Sequence, residues 1–318
     1  MRKVFVNAAL ACALLGGATP AHAAGLEAKY LYDLATLTGA VRLSGLGLSF
    51  DPAAGELFTV GYGTVRIFNS AGVQTYSFVG DEEYGAPLAV AALDDGDLLL
   101  LTYRGNDYSI VRSNFRGEPQ GRLGLAGIPP EFAQDFNPGA IVYAKGRVYL
   151  ADFPRMKVAV FDERGGYVAS YDLATLIDLD EKKREDAGLG GFNVDPEGNL
   201  LFTVPPLFKA YVLAPGGEVR SVGTPGSAPG KFNVVAGIAG DDSGRLYVVD
   251  MLKCAVIVFD RDLRFLGEFG YRGYSPGRLI APRSVAVGNG NVYVAQYGGR
   301  GVTVYRVAES GSGEGSRK

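Results

Sequence analysis

The sequence predicts an all-β chain: a six-bladed β-propeller of four-stranded antiparallel blades, with an N-terminal strand closing the last blade. Three observations predict it. Short apolar runs rich in Val, Ile, Tyr and Phe alternate with turns bearing Gly and Asp. One turn-and-strand signature occurs six times, and its last copy lacks an outer strand for which a matching segment stands near the start of the chain. β-Branched and aromatic side chains suit a pleated surface, whereas Gly and Asp suit turns, so each run reads as a strand and each interruption as a turn.

The clearest copy is residues 231–270, KFNVVAGIAGDDSGRLYVVDMLKCAVIVFDRDLRFLGEFG. Strand a covers 237–240, the turn Asp241-Asp242-Ser243-Gly244 follows, and strands b, c and d cover 246–249, 256–259 and 265–269. The anchor is Gly-x-[Leu/Val]-[Tyr/Phe/Leu], opening strand b. It starts at Gly55, Gly96, Gly146, Gly198, Gly244 and Gly290, with spacings of 41, 50, 52, 46 and 46 residues. Those spacings fit four short strands and their loops. Strand c recurs at 65–68, 158–161, 210–213, 256–259 and 302–305, and the second copy, at 108–113, is the most degenerate.

Radial closure is the economical arrangement of six such sheets, because an open stack would leave two exposed ends. The sixth copy stops near Val307. The segment YDLATL occurs at 171–176, in the strand d position of blade three, and again at 32–37. Residues 28–37 are therefore expected to supply strand d of blade six.

The chain resembles the NHL-repeat family of six-bladed propellers, exported bacterial type. The resemblance is carried by Gly244-Arg245-Leu246-Tyr247-Val248-Val249-Asp250 with Val258-Phe259-Asp260, and by Gly146-Arg147-Val148-Tyr149-Leu150-Ala151-Asp152 with Val160-Phe161-Asp162. The linkers Pro229-Gly230-Lys231-Phe232 and Pro276-Gly277-Arg278-Leu279 also fit. The likeness spans about residues 28–307; blades one, two and four lack the Asp after strand b, and there it rests on spacing.

Taken from its start, the chain opens with Met1-Arg2-Lys3, an apolar run over 4–15 and the small-residue terminus Ala21-His22-Ala23. This reads as a cleavable secretory signal peptide over 1–23, too short to anchor in a bilayer. The propeller is expected over 24–307, and 308–318, rich in Gly, Ser and charge, reads as a disordered tail. A periplasmic or secreted location follows, with no membrane span in the mature protein. Cleavage leaves 29 basic against 34 acidic residues, and it removes the only histidine and Cys12, so Cys254 is the sole remaining cysteine. A lone cysteine forms no internal disulfide, so stability rests on the core between blades.

Two connectors are long. One covers 126–138 with Pro129-Pro130. The other covers 174–190, and its stretch 176–186 has the charge spacing of a short surface helix, either an ornament or a lid.

Composition limits the chemistry. Without histidine in the mature chain, Ser-His-Asp and Cys-His nucleophilic arrangements have no base, and a zinc site has too few ligands. The residues aligned toward the axis, Ser49, Ala92, Val142, Asn193, Ala239 and Ala286, offer almost nothing to calcium, which takes six or more oxygens. No catalytic residue, metal or cofactor is assigned. The resemblance includes secreted lyases that use histidine-held metal, and none of those ligands is retained. Export and an acidic mature chain argue against nucleic acid, which some cytoplasmic family members bind. Asp152 and Asp250 could form a carboxylate pair, but they occupy one repeat position in separate blades, as a structural role requires.

Propeller topology sorts the loops. The a-to-b and c-to-d turns share one face, where Asp51, Asp94, Asp95, Asp162, Asp195, Asp241 and Asp260 read as turn formers. The b-to-c and d-to-a loops share the other, here called the top. It is expected to present Arg104, Arg155, Lys157, Lys209, Lys253, Arg283 and Arg300, with Arg42, Tyr62, Tyr103, Tyr108 and Tyr297 among them. Such a rim suits an extracytoplasmic protein or envelope component, in particular an acidic one. The expected function is a non-catalytic binding scaffold. The alternative is a hydrolase or lyase with carboxylates and tyrosines at the channel mouth.

Overall fold

A computed structural model describes residues 25–36, 39–41, 47–105, 107–297 and 300–309. The expected signal peptide, Arg42 and residues 310–318 of the expected tail lie outside them.

Six four-stranded antiparallel sheets form a ring. Blade one consists of Leu48–Asp51, Glu56–Gly61, Thr64–Phe68 and Gln74–Val79. Blade two consists of Ala86–Ala92, Leu98–Arg104, Asp107–Ser113 and Pro119–Arg122. Blade three consists of Ala140–Ala144, Arg147–Asp152, Lys157–Asp162 and Tyr167–Asp172. Blade four consists of Gly191–Val194, Leu200–Val204, Lys209–Leu213 and Val219–Val222. Blade five consists of Val235–Gly240, Leu246–Asp250, Ala255–Phe259 and Phe265–Gly270. Blade six takes Pro282–Gly288, Asn291–Gln296 and Gly301–Glu309 from the C-terminal end and Leu26–Asp33 from the N-terminal end.

The core is divided into six apolar clusters, one at each interface between neighbouring blades. Strand b of blade five shows how. Leu246 and Val248 face blade four, while Tyr247 and Val249 face blade six. Successive side chains leave a strand on opposite faces, and here both faces are covered, so the strand reads as an unbroken apolar run.

The closing strand is shorter and earlier than its expected span of 28–37. Leu26 pairs with Glu309 and Asp33 with Thr303, with a bulge between Tyr30 and Tyr32. Leu34 then donates its N–H to Val302 O at 2.8 Å and buries its side chain between blades six and one. The repeated segment behaves alike in blade three: Tyr171 and Asp172 end strand d, and buried Leu173 donates to Met156 O at 2.9 Å. Beyond that leucine the copies diverge. Residues Leu173–Leu176 form a helical turn capped by Asp172, whereas Ala35–Thr36 pair with Gly39–Ala40. The helix expected over 176–186 is likewise divided into that turn and Glu181–Asp186, capped by Asp180. Ile177 and Leu179 between them pack against the cluster joining blades three and four. Strand c of blade six runs to Glu309, two residues past the expected propeller boundary.

Strand a of every blade lines an axial channel of about 530 Å³. All six residues aligned with the axis border it, yet Ala239 and Ala286 are buried in inter-blade clusters. A radial sheet turns its backbone edge toward the axis and its side chains toward neighbouring sheets. Glycine permits the closest approaches. A Cβ on Gly237 would lie 2.6 Å from Ser284 Cα, and one on Gly191 2.5 Å from Ala236 O.

Candidate interaction face

The carboxylates of the lower face are turn formers. Asp195 Oδ1 accepts from the N–H groups of Glu197 and Asn199 at 3.0 and 2.9 Å, and Asp241 Oδ1 from Ser243 and Arg245 at 3.0 and 2.9 Å. Asp162 repeats the motif with Arg164 and Gly166, both at 2.8 Å. Those two N–H groups hold the Asp162 carboxyl below the usual carboxylate range. Tyr143 donates toward Asp94 at 2.9 Å and Glu163 at 2.5 Å, and burial, followed by these bonds, raises its pKa.

Asp152 and Asp250 end strand b in blades three and five, and neither is exposed. Asp250 Oδ2 accepts from Asn233 N at 2.6 Å. Its Oδ1 accepts from Leu252 and Lys253 at 3.0 and 2.9 Å and from Val234 at 3.3 Å. Asp152 accepts from the N–H groups of Asn137 and Arg155 at 2.8 and 3.0 Å. Gln296, at the same position in blade six, accepts from Ile280 N at 2.7 Å through Oε1. Each of these side chains fastens the incoming d-to-a connector to the end of strand b, and those of Asp152 and Asp250 bind the b-to-c turn as well. Among the described residues, no group of three or more His, Cys, Asp or Glu side chains is gathered as a metal cluster.

The expected top-face residues fall into three situations. Lys253 is drawn inside. Its side chain is 7% exposed and donates to Glu268 Oε2 at 2.8 Å and to the carbonyls of Ala228 and Lys231, both at 3.2 Å. That ammonium ties down the connector between blades four and five rather than facing a ligand. Arg104, Arg155, Lys157, Lys209 and Tyr62 are spread over four blades, Arg155 and Lys157 sharing blade three. Arg104 donates to Glu83 O at 3.0 Å, Arg155 lies 3.6 Å from Asp152, and Lys157 Nζ sits 5.0 Å from the centre of the Phe132 ring. Lys209 is half-buried, and Tyr62 is 76% exposed at φ 51°.

The third group comes together over blade six. The guanidinium carbon of Arg283 lies 4.8 Å from the centre of the Tyr297 ring, and that of Arg300 lies 5.3 Å from the Tyr274 ring. Arg300 also reaches Tyr274 O at 3.5 Å, and Tyr297 donates its N–H to Ala281 O at 3.2 Å. Beside them, Arg272 donates to Leu252 O at 3.3 Å. Tyr274 is 79% exposed and Tyr297 63%, so both rings present a face or edge to solvent with a cation stacked alongside. Such stacks hold a guanidinium in one orientation, at a gain of about 0.5–1 kcal/mol for exposed pairs.

The carboxylates that would oppose this charge are mostly engaged. Asp250 is enclosed by four N–H groups, and Glu268 is paired with Lys253. Asp33 is exposed at the end of the closing strand, where it accepts from Thr303 Oγ1 at 2.5 Å and Tyr30 at 3.3 Å. Over blades one and two, by contrast, Asp81, Glu82 and Glu83 are exposed. The top thus gathers Arg272, Arg283 and Arg300 with two tyrosines over blades five and six, whereas over one and two Asp81, Glu82 and Glu83 stand beside Arg104, Tyr62, Tyr103 and Tyr108. Tyr274 and Arg272 are not among the residues the sequence singles out, although they stand just before the linker Pro276-Gly277; the Tyr-Arg-Gly-Tyr run in that connector is the signal that could have found them.

The chain matches no protein-family model and no curated protein. Solved structures do resemble it. A protein of unknown function from Bacteroides thetaiotaomicron is 13% identical, with a TM-score of 0.64, covering 89% of this chain and 76% of its own. Virginiamycin B lyase from Staphylococcus aureus is 14% identical, with a TM-score of 0.52 and 88% of each chain covered. A luciferin-regenerating enzyme is 13% identical, with a TM-score of 0.57, covering 90% and 96%. Identities this low carry the architecture and no activity. The chain is a six-bladed β-propeller whose last blade is completed by its N-terminal strand.

Proposed function

We propose that this propeller is an exported, non-catalytic scaffold of NHL-repeat type that binds an acidic extracytoplasmic protein or envelope component through the top of blades five and six. The observation that carries the reading is the pair of stacks Arg283–Tyr297 and Arg300–Tyr274, joined through one b-to-c loop with Arg272 beside it. Rings that are apolar on their faces and polar at their edges, interleaved with oriented guanidinium groups, are the composition of binding centres in protein interfaces. The rigid blades fix the loops before the partner arrives, which lowers the ordering cost of association. Two lyase- or enzyme-named neighbours share the architecture, but Asp152 and Asp250, the carboxylate pair the sequence offers for acid–base work, are each engaged by backbone N–H groups.

The test is fluorescence anisotropy of a labelled peptide of alternating Glu and Tyr titrated with the protein. Binding should weaken as salt rises, and R283E/R300E should weaken it about tenfold or more. R116E/R264E, on the lower face, should leave it unchanged. Binding that is insensitive to salt and to R283E/R300E would overturn the proposal.

A further inference from the structure

The six blades act as internal controls for one another, and one pair of positions departs from the rest. The third residue of strand b faces the second residue of strand c. In five blades this pair is Leu100/Val111, Leu150/Ala159, Phe202/Tyr211, Val248/Ile257 and Val294/Thr303. In blade one it is Thr59/Arg66. Leu150 and Ala159 lie in the cluster joining blade three to blade two, so by repeat position Thr59 and Arg66 face blade six across the closing seam.

Their polar atoms have no partners. Thr59 is wholly buried, and its Oγ1 makes no hydrogen bond; Nη1 of Arg66 is also buried and unbonded. Gln74, on the same face, has a buried and unbonded Oε1, while its Nε2 lies 3.4 Å from Ser77 Oγ. Ser77 pairs directly with Arg66. Three of the five such atoms among the described residues thus fall on one face of one sheet. The wall opposite is formed by Tyr293, Ala295, Val302, Val304 and Tyr32, and no described carboxylate pairs with the guanidinium.

Leaving buried donors unsatisfied costs about 1–3 kcal/mol each, more for a charged group, so a chain that keeps them here in place of apolar residues calls for a partner that its own side chains do not supply. Its chemistry follows from the groups. Arg66 supplies donors and a positive charge, Thr59 supplies a hydroxyl donor, and turning over the Gln74 amide makes its buried end an N–H₂ donor while its oxygen accepts from Ser77. We infer that the seam between blades one and six binds a small inorganic anion of halide size, held by Arg66, Thr59 and Gln74. The bound anion supplies the counter-charge that the sheet lacks and fastens the joint where the two ends of the propeller meet. Arg66 is only partly buried, which gives the anion a route to solvent.

A ligand that binds only the folded state raises its stability with concentration. The full chain is melted at constant ionic strength while gluconate is replaced by chloride or bromide. The midpoint should rise by several degrees with halide, R66M should abolish the rise, and T59V should weaken halide affinity about tenfold. T59V/R66M, which restores an apolar pair, should be more stable than the natural chain in gluconate. Bromide soaked into crystals of the unaltered protein should give an anomalous peak between Arg66 and Thr59, a readout independent of whether the variants fold. Equal midpoints in gluconate and halide, a halide response retained in R66M, or water alone at that position would overturn the inference.

Discussion

Replacing Asp250 by alanine should be among the most damaging single changes in the chain, because four N–H groups converge on that carboxylate from two separate segments. Asn233 and Val234 belong to the connector entering blade five, and Leu252 and Lys253 to the b-to-c turn. Alanine leaves all four without an acceptor in an enclosed site. Losing a buried, multiply bonded charge costs about 3–5 kcal/mol, which at about 2 °C per kcal/mol lowers the melting midpoint by about 6–10 °C. The repeat provides a graded series. Asp152 accepts two such bonds, so D152A should cost about 2–3 kcal/mol; Gln296 accepts one, so Q296A should cost about 1–2 kcal/mol. Urea titration followed by far-ultraviolet circular dichroism measures all three. Folded D250A should still bind the acidic peptide, since the side chain is not on the surface. A loss below about 1 kcal/mol, or a stable D250A protein that no longer binds, would refute the structural role and revive the reading of Asp250 as a functional carboxylate.

Other perturbations test other joints. L34A opens a cavity between blades six and one and should cost about 3 kcal/mol in the same titration. K253M strands Glu268 beside Gly230 N and should cost about 3–5 kcal/mol, whereas K253M/E268L should recover most of it; equal losses in both would contradict a buried pair. The phenols of Tyr247 and Tyr305 are raised in pKa, chiefly by burial, above an unfolded value near 10. Below that pH both states keep the proton and this contribution is intact. Above it the unfolded chain ionises first, so stability falls as pH rises through the alkaline range, and Y247F/Y305F should flatten the fall. Midpoints recorded against pH would show it.

The architecture was legible because the blades repeat a local signal: a turn glycine, an apolar strand b and, in all but blade two, a strand c ending in an aromatic or leucine. Ring closure was legible from YDLATL, though in either copy only its first two residues pair within a blade. The leucine that follows turns inward, and what comes after depends on the next connector, which strand propensity does not describe. The top face was less legible. Loop positions place a charge near a face but not the direction of a long side chain, and Lys253 reaches inward because Glu268 and two carbonyls lie within its span. The stacks over blade six bring 274 to 300 and 283 to 297, pairs that spacing alone does not join. The Thr59/Arg66 pair became visible only once the register aligned it with five counterparts, none of which carries a charge or an unpartnered buried polar atom.

Hydrogen exchange of the full chain, with and without a saturating acidic peptide, tests most directly whether the top of blades five and six is the working surface. Protection should appear in residues 271–283 and 296–301 and be absent from the turns at 51–55, 195–198 and 241–245. Protection confined to those lower turns, or to the side over blades one and two, would contradict it.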